Sequence, residues 1–180
     1  MKLIVGLGNP GRAYKDTPHN VGFEMLNVVR NKLAKVGFEV GEWESSNPFS
    51  GEICKIRKEG EVEYVLLKPQ TFMNLSGVSV AKISQKMKFS KISIIHDDLD
   101  LKFGTFKIQV GKKPKEHNGV NNIASRVDIT SAVMVRIGID NRNGLPIPGE
   151  KYVLMKMKEE ELSALENVFE KASSQLITSL

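Results

Sequence analysis

Apolar and polar positions follow two periods along the chain, and the switches between them mark out the elements. Residues 2–7 form a short apolar run closed by glycines, which predicts a buried strand. Over 21–36, Met25, Leu26, Val29, Leu33 and Val36 recur at helical spacing, with Gly37 placed as a helix stop. The stretches 52–58 and 62–68 flank Glu59-Gly60-Glu61, a hairpin signal, and Pro69 ends the second strand. Residues 43–50 read as irregular and turn-rich. Residues 76–87 read as a helix with Val80, Ile83 and Met87 on one side and Ser76 as a candidate cap. A β-branched run at 92–96 predicts a second buried strand ending at Asp97-Asp98, and 105–110 and 132–139 read as further strands. Residues 119–127 suggest a short helix, and 141–149, with Asn, Gly and Pro, a loop. Leu162, Leu165, Val168, Phe169, Ala172 and Leu176 make 159–177 a final amphipathic helix.

The resulting order, β-α-β-β-α-β-β-α-β-α, predicts an α/β fold: a mixed, mostly parallel central sheet with helices on both faces. No repeat, low-complexity tract or linker divides residues 1–180, so a single domain is expected. Composition agrees. In a chain of 180 residues, 41% hydrophobic and 26% charged residues suit a globular domain and exclude disorder as the whole account. Apolar stretches such as 131–135 fall far short of the ~20 residues that cross a membrane. The N-terminal apolar run is too short for a signal peptide, and the lone Cys54 suits a reducing compartment, so a cytoplasmic protein is expected.

A net charge of +5 permits a nucleic-acid partner without requiring one. Its distribution is more telling. Lys102, Lys107, Lys112, Lys113 and Lys115 cluster mid-chain, whereas Glu159, Glu160, Glu161, Glu166 and Glu170 crowd the last helix. This suggests one face for an anion and one for water, against the plainer reading of a solvated lysine-rich loop.

Candidate chemistry gathers in the loops after strands. Gly6-x-Gly8-x-x-Gly11 matches a dinucleotide-binding pattern superficially, but Pro10 removes a donor and the helix begins about ten residues later. A sharp turn that places Asn9 at the strand's C-terminal edge fits better. His19 follows Thr17-Pro18 near that loop. It is either a capping residue or a general base whose ordinary pKa already suits neutral pH. The run His96-Asp97-Asp98-Leu99-Asp100 reads as a metal site, as surface or capping acids, or as holding a carboxylate that orients a histidine. No spaced ligand pair completes a zinc or calcium pattern. Asn74 lies in the turn before residue 76, and His117-Asn118-Gly119 opens a helix whose N–H groups can bind an anion. Asn9, Asn74 and Asn118 in three strand-to-helix loops, with one histidine and one carboxylate, make a neutral hydrogen-bonding site suited to a polar, uncharged bond flanked by phosphates. No nucleophile signature is present, so hydrolysis would use activated water.

Several motifs occur together in order. They are Lys-Leu-Ile-Val-Gly-Leu-Gly-Asn-Pro-Gly at 2–11, Tyr14, Thr17-x-His19-Asn20-x-Gly22, Phe72-Met-Asn-Leu-Ser-Gly77, the 96–100 run, His117-Asn-Gly119 and Arg136-Ile-Gly138. Over residues 2 to about 154 the chain resembles the bacterial peptidyl-tRNA hydrolase family. The resemblance implies a monomeric α/β enzyme that cleaves the ester between a peptide and the 3′ ribose of tRNA, with no metal or organic cofactor. It implies His19 as general base, oriented by Asp97. Asn9, Asn74 and Asn118 would hold substrate, water or the oxyanion; Tyr14 and Phe72 would line the cleft; Lys107, Lys112, Lys113 and Arg136 would meet tRNA phosphate. The chain departs from the family pattern in its lysine-rich 111–116 segment, at Gln109 and Met134, at 140–143, and at Val153-Leu-Met-Lys156. Two other functions are weighed against the hydrolase: a non-catalytic RNA-binding module on the same fold, and a nucleotide-dependent oxidoreductase suggested by the glycine loop alone.

Overall fold

The computed structural model describes residues 1–180 except Lys113 and Lys115. Among the described residues, eight strands form one sheet: β1 (Lys2–Gly6), β2 (Glu39–Val40), β3 (Glu44–Ser46), β4 (Gly51–Lys58), β5 (Glu61–Pro69), β6 (Lys91–Lys102), β7 (Phe106–Val110) and β8 (Val133–Asp140). Five α-helices of the described residues pack on it: α1 (Val21–Lys35), α2 (Ser76–Lys86), α3 (Asn118–Ala124), α4 (Gly149–Tyr152) and α5 (Glu159–Ser179). The sheet order is β2-β4-β5-β1-β6-β8-β7, with β3 beside β4. The central strands β5, β1, β6 and β8 run parallel, and the outer strands pair antiparallel. The mixed α/β architecture expected from the alternation is therefore present.

Parallel strands covered on both faces read as continuous apolar runs, as in β1 and β8, where nearly every residue is buried. Alternate side chains then feed two cores. Ile4, Leu66, Ile95 and Val135 pack with Met25, Leu26 and Val29 of α1 and Leu165, Phe169 and Leu176 of α5. Leu3, Val65, Ile94 and Met134 pack with Val80 and Ile83 of α2 and Val120 and Ile123 of α3.

Three local expectations are corrected. The strand predicted to end at Asp97-Asp98 continues to Lys102. Both acids are paired with cationic or ring N–H groups, so the backbone need not turn out to water to solvate them. Residues 44–46 form the short strand β3 rather than irregular chain, because they ladder onto β4. Ser76 is not a cap: it is the first residue of α2, and its hydroxyl donates back to the Met73 carbonyl at 2.9 Å.

The start of α1 is jammed against the C-terminal end of β1 and the middle of β6. A Cβ on Gly22 would collide with the Leu7 backbone and the Ile95 carbonyl, and one on Gly6 would collide with the Gly22 carbonyl. Only glycine permits this approach. It fixes where the turn before α1, which carries His19, sits over the sheet. Gly22→Ala is expected to destabilise the fold by about 3 kcal/mol, because the backbone on every side is rigid. Urea denaturation checks this, and an unchanged midpoint would contradict it.

Candidate active site

The site lies beyond the C-terminal ends of β1 and β5, the usual place for ligands in open α/β sheets, and alongside the middle of the longer strand β6. His19 sits in a one-turn 3-10 helix, Pro18–Asn20, immediately before α1. Its main-chain N–H donates to the Val153 carbonyl at 3.0 Å. The Asn20 side chain binds both polar groups of the Asn9 backbone, accepting from its N–H at 2.8 Å and donating to its carbonyl at 3.0 Å. The loop after β1 and the histidine turn are thus stapled together. Lys156 completes the clamp by donating to the carbonyls of Arg12 and Lys15.

All three histidines of the chain converge on Asp97. His19 Nδ1 lies 2.9 Å from each carboxylate oxygen. His117 Nε2 lies 2.9 Å from Oδ1. His96 Nδ1 donates to the Asp97 main-chain carbonyl at 2.7 Å. The His117 ring stands 5.2 Å from that of His19 and 4.9 Å from that of His96, centroid to centroid. The carboxylate is 2% exposed, and the His19 side chain, at 12%, is the one ring of the three with an opening to solvent.

Hydrogen bonding settles the tautomers. A carboxylate only accepts, so the His19 proton is on Nδ1 and its Nε2 carries a free lone pair. The Val120 N–H donates to His117 Nδ1 at 3.3 Å, which leaves the His117 proton on Nε2, aimed at Asp97. Burial pushes the Asp97 carboxyl up, but the His19 and His117 rings outweigh that and hold it well below the usual carboxylate range. Burial lowers the His19 pKa, and the charge and hydrogen bond of Asp97 more than reverse this, so it ends above the ordinary 6.5. Burial and the nearby His117 push His96 down to about 4. His19, His117 and Asp97 cluster as closely as metal ligands do, but both ring nitrogens that face the carboxylate carry protons, so the three groups form a hydrogen-bonded set and not a ligand set.

The other expected residues are placed as follows. Asn9 is buried, and its side-chain oxygen accepts from the Met73 N–H at 2.7 Å, which leaves its Nδ2 as the donor facing outward chemistry. Asn74 is exposed in the 3-10 turn Met73–Leu75, and Asn118 is exposed as the first residue of α3. Tyr14 and the half-exposed Phe72 meet edge-to-face at 6.0 Å. Phe72 adopts φ 58° and ψ 161°, a region that side chains avoid. Lys107 and Lys112 are exposed. Lys113 lies outside the described residues. Arg136 is 7% exposed, with its guanidinium bound to Asp98 at 2.5 Å and to Gln109 at 3.0 Å. It neighbours Lys107 in register across β7 and β8, behind the exposed cations.

Two residues were absent from the expected set. His117 was visible only as part of a helix-start motif, although a histidine at the cap position, unlike Ser or Asp, carries a second nitrogen that needs a partner. Asn20 was visible only as a neighbour of His19.

A carboxylate-held imidazole with its other nitrogen free, in a turn stapled to the Asn9 loop, makes this an α/β domain equipped for general-base chemistry. The family model for peptidyl-tRNA hydrolase matches residues 3–180. A peptidyl-tRNA hydrolase of Geotalea daltonii is 40% identical over 92% of this chain and 82% of its own length. One from Campylobacter concisus is 38% identical over 93% of this chain and 83% of its own. The crystal structure of peptidyl-tRNA hydrolase from Acinetobacter baumannii superposes with a TM-score of 0.81 at 32% identity, covering 97% of this chain and 85% of that one. The chain belongs to the peptidyl-tRNA hydrolase family.

His96 makes stability depend on pH. It is neutral in the fold and titrates near 4, but near 6.5 once unfolded. Its contribution is therefore complete above pH 6.5 and is lost as pH falls toward 4, on the order of 3 kcal/mol. His19 works the other way: its raised pKa adds stability below 6.5 that is lost as pH rises through the folded value, so it offsets part of the fall. Urea midpoints measured from pH 7.5 to 4.5 are expected to decline, and His96→Gln is expected to flatten the decline. A wild-type midpoint that does not fall would contradict this assignment.

Proposed function

We propose that this enzyme hydrolyses the ester between the peptide and the 3′ ribose of peptidyl-tRNA with water activated by His19. The observation that carries the reading is the His19–Asp97 pair. Its proton is fixed on Nδ1, which leaves Nε2 as a base on the solvent side of a buried carboxylate. Nε2 takes a proton from water as the water oxygen attacks the ester carbonyl. The imidazolium so formed is stabilised by Asp97, whose depressed pKa keeps the proton on the ring. The developing oxyanion is met by neutral amide donors, the Nδ2 groups of Asn9, Asn74 and Asn118, which stabilise charge without drawing a counter-carboxylate into the site. The ring then gives its proton to the departing ribose oxygen, and peptide acid and tRNA leave.

Tyr14 and Phe72 offer ring faces for the unpaired 3′ end of the RNA. Lys107 and Lys112, with Lys113, supply phosphate contacts whose affinity falls with salt, whereas the charge of Arg136 is taken up by Asp98. The reading includes a monomer acting in the cytoplasm without metal or organic cofactor. In its support, one protomer brings His19, Asp97 and the Asn9 loop together, and the single thiol, Cys54, is free and buried. The non-catalytic RNA-binding alternative is disfavoured, because it leaves the oriented base without a purpose.

His19→Ala is expected to lower kcat by about two orders of magnitude or more while the protein stays folded and still binds a peptidyl-tRNA analogue. Asp97→Asn should cost less. For the wild type, kcat/KM should rise with pH along a limb centred above 6.5, since only neutral His19 accepts a proton. Full activity in His19→Ala, or no ascending limb, would contradict the general-base assignment. Phe72→Gly provides a separate check. It should stabilise the fold by about 1 kcal/mol by releasing backbone strain, yet raise KM. Loss of stability would contradict the strain, and an unchanged KM would remove Phe72 from the binding surface.

A further inference from the structure

His117 spends its two nitrogens on different tasks. Nδ1 accepts the Val120 N–H and caps α3. That bond alone would be served as well by Ser, Asp or Asn, the common residues at this position. Nε2 is not needed for the cap, and it donates instead to Asp97 Oδ1, the same oxygen that faces His19 Nδ1 at 2.9 Å. Both partners are almost fully buried, at 4% and 2% side-chain exposure, so little water competes for the bond.

We infer that His117 is a positioning residue for the reaction: its Nε2–H draws on the Asp97 carboxylate and so limits how strongly that carboxylate holds a proton on His19. The inference rests on reading His19 as the base. A carboxylate with two N–H donors is a weaker partner for each than a carboxylate with one. Removing the His117 bond would concentrate the charge of Asp97 on His19 and stabilise the imidazolium. His19 would then stay protonated to higher pH and idle as a base near neutrality. The same bond ties the helix that begins with Asn118 to the carboxylate that orients the base, so an amide donor and the base share one anchor.

Among the described residues, no other charged group around Asp97 substitutes for this bond. On its own strand, His96 binds the main-chain carbonyl and Asp98 is taken by Arg136 of β8. On β7, Lys107 is exposed and Gln109 is bound to Arg136. In the first turn of α1 the one acid, Glu24, acts on Lys68, and Lys156 is bound to the carbonyls of the 12–15 turn.

Two amide variants separate the tasks. The Asn side chain places its oxygen where His Nδ1 stood, so His117→Asn keeps the cap and loses the Asp97 bond. The Gln side chain reaches to where Nε2 stood, so His117→Gln keeps the Asp97 bond and loses the cap. The His19 pKa is read by NMR titration of its ring, and the acidic limb of kcat/KM by kinetics on a peptidyl-tRNA substrate. His117→Asn should move both upward by about half a unit with little change in melting temperature. His117→Gln should leave both near wild type and lower the melting temperature by several degrees. The inference is overturned if His117→Asn leaves the His19 titration in place, or if both variants shift titration and melting alike. Should His117→Asn not fold, nitrogen NMR of the wild type decides: a His117 proton on Nδ1 instead of Nε2 overturns it. The NMR titration of His19 does not depend on catalysis, so it stands apart from any failure of the general-base reading.

Discussion

A carboxylate sealed from water is costly unless each oxygen finds a donor, and Asp97 meets that condition with the side chains of two histidines. A third histidine, His96, binds its main-chain carbonyl. The charge of one side chain therefore fixes the tautomer of His19, the orientation of His117 and the entry of α3. Each bond that stabilises the buried anion also prepares the site: the proton held on His19 Nδ1 is what frees Nε2. Structural satisfaction and catalytic readiness are one set of contacts here.

The scaffold brings these groups together by backbone contact rather than by long side chains. Gly6 and Gly22 let α1 start directly on the end of β1 and the middle of β6, and the turn bearing His19 is carried with it. Asn20 then locks that turn to the Asn9 loop, and Asn9 in turn holds the Met73 N–H. The chain Asn20–Asn9–Met73 spans three loops with hydrogen bonds of 2.7 to 3.0 Å. A side-chain amide such as that of Asn9, held on such a frame, keeps its geometry without further side-chain ordering.

Periodicity revealed most of this fold, because its central strands and main helices bury faces with clean spacing. It misplaced the end of β6, since acids at 97 and 98 look like an exit to solvent unless their partners, distant in sequence, are known. It passed over β3 and α4, which are too short to show a period. Of the site, His19, Asp97 and the three asparagines stood out because they follow strands in a chain poor in histidine. His117 did not, because its bond to Asp97 spans twenty residues and depends on which nitrogen the helix cap consumes. Arg136 was expected at the surface with the lysines and is instead buried on Asp98; residue type gave its charge but not its partner.

The central claim is that Asp97 holds the His19 proton on Nδ1 and leaves Nε2 unprotonated. Nitrogen NMR of the histidine rings, recorded on the free enzyme above the His19 titration, tests it directly. The account requires a protonated Nδ1 and a bare Nε2 for His19, with the pattern lost in Asp97→Ala. A His19 proton found on Nε2 in the wild type, with Nδ1 bare, would contradict it.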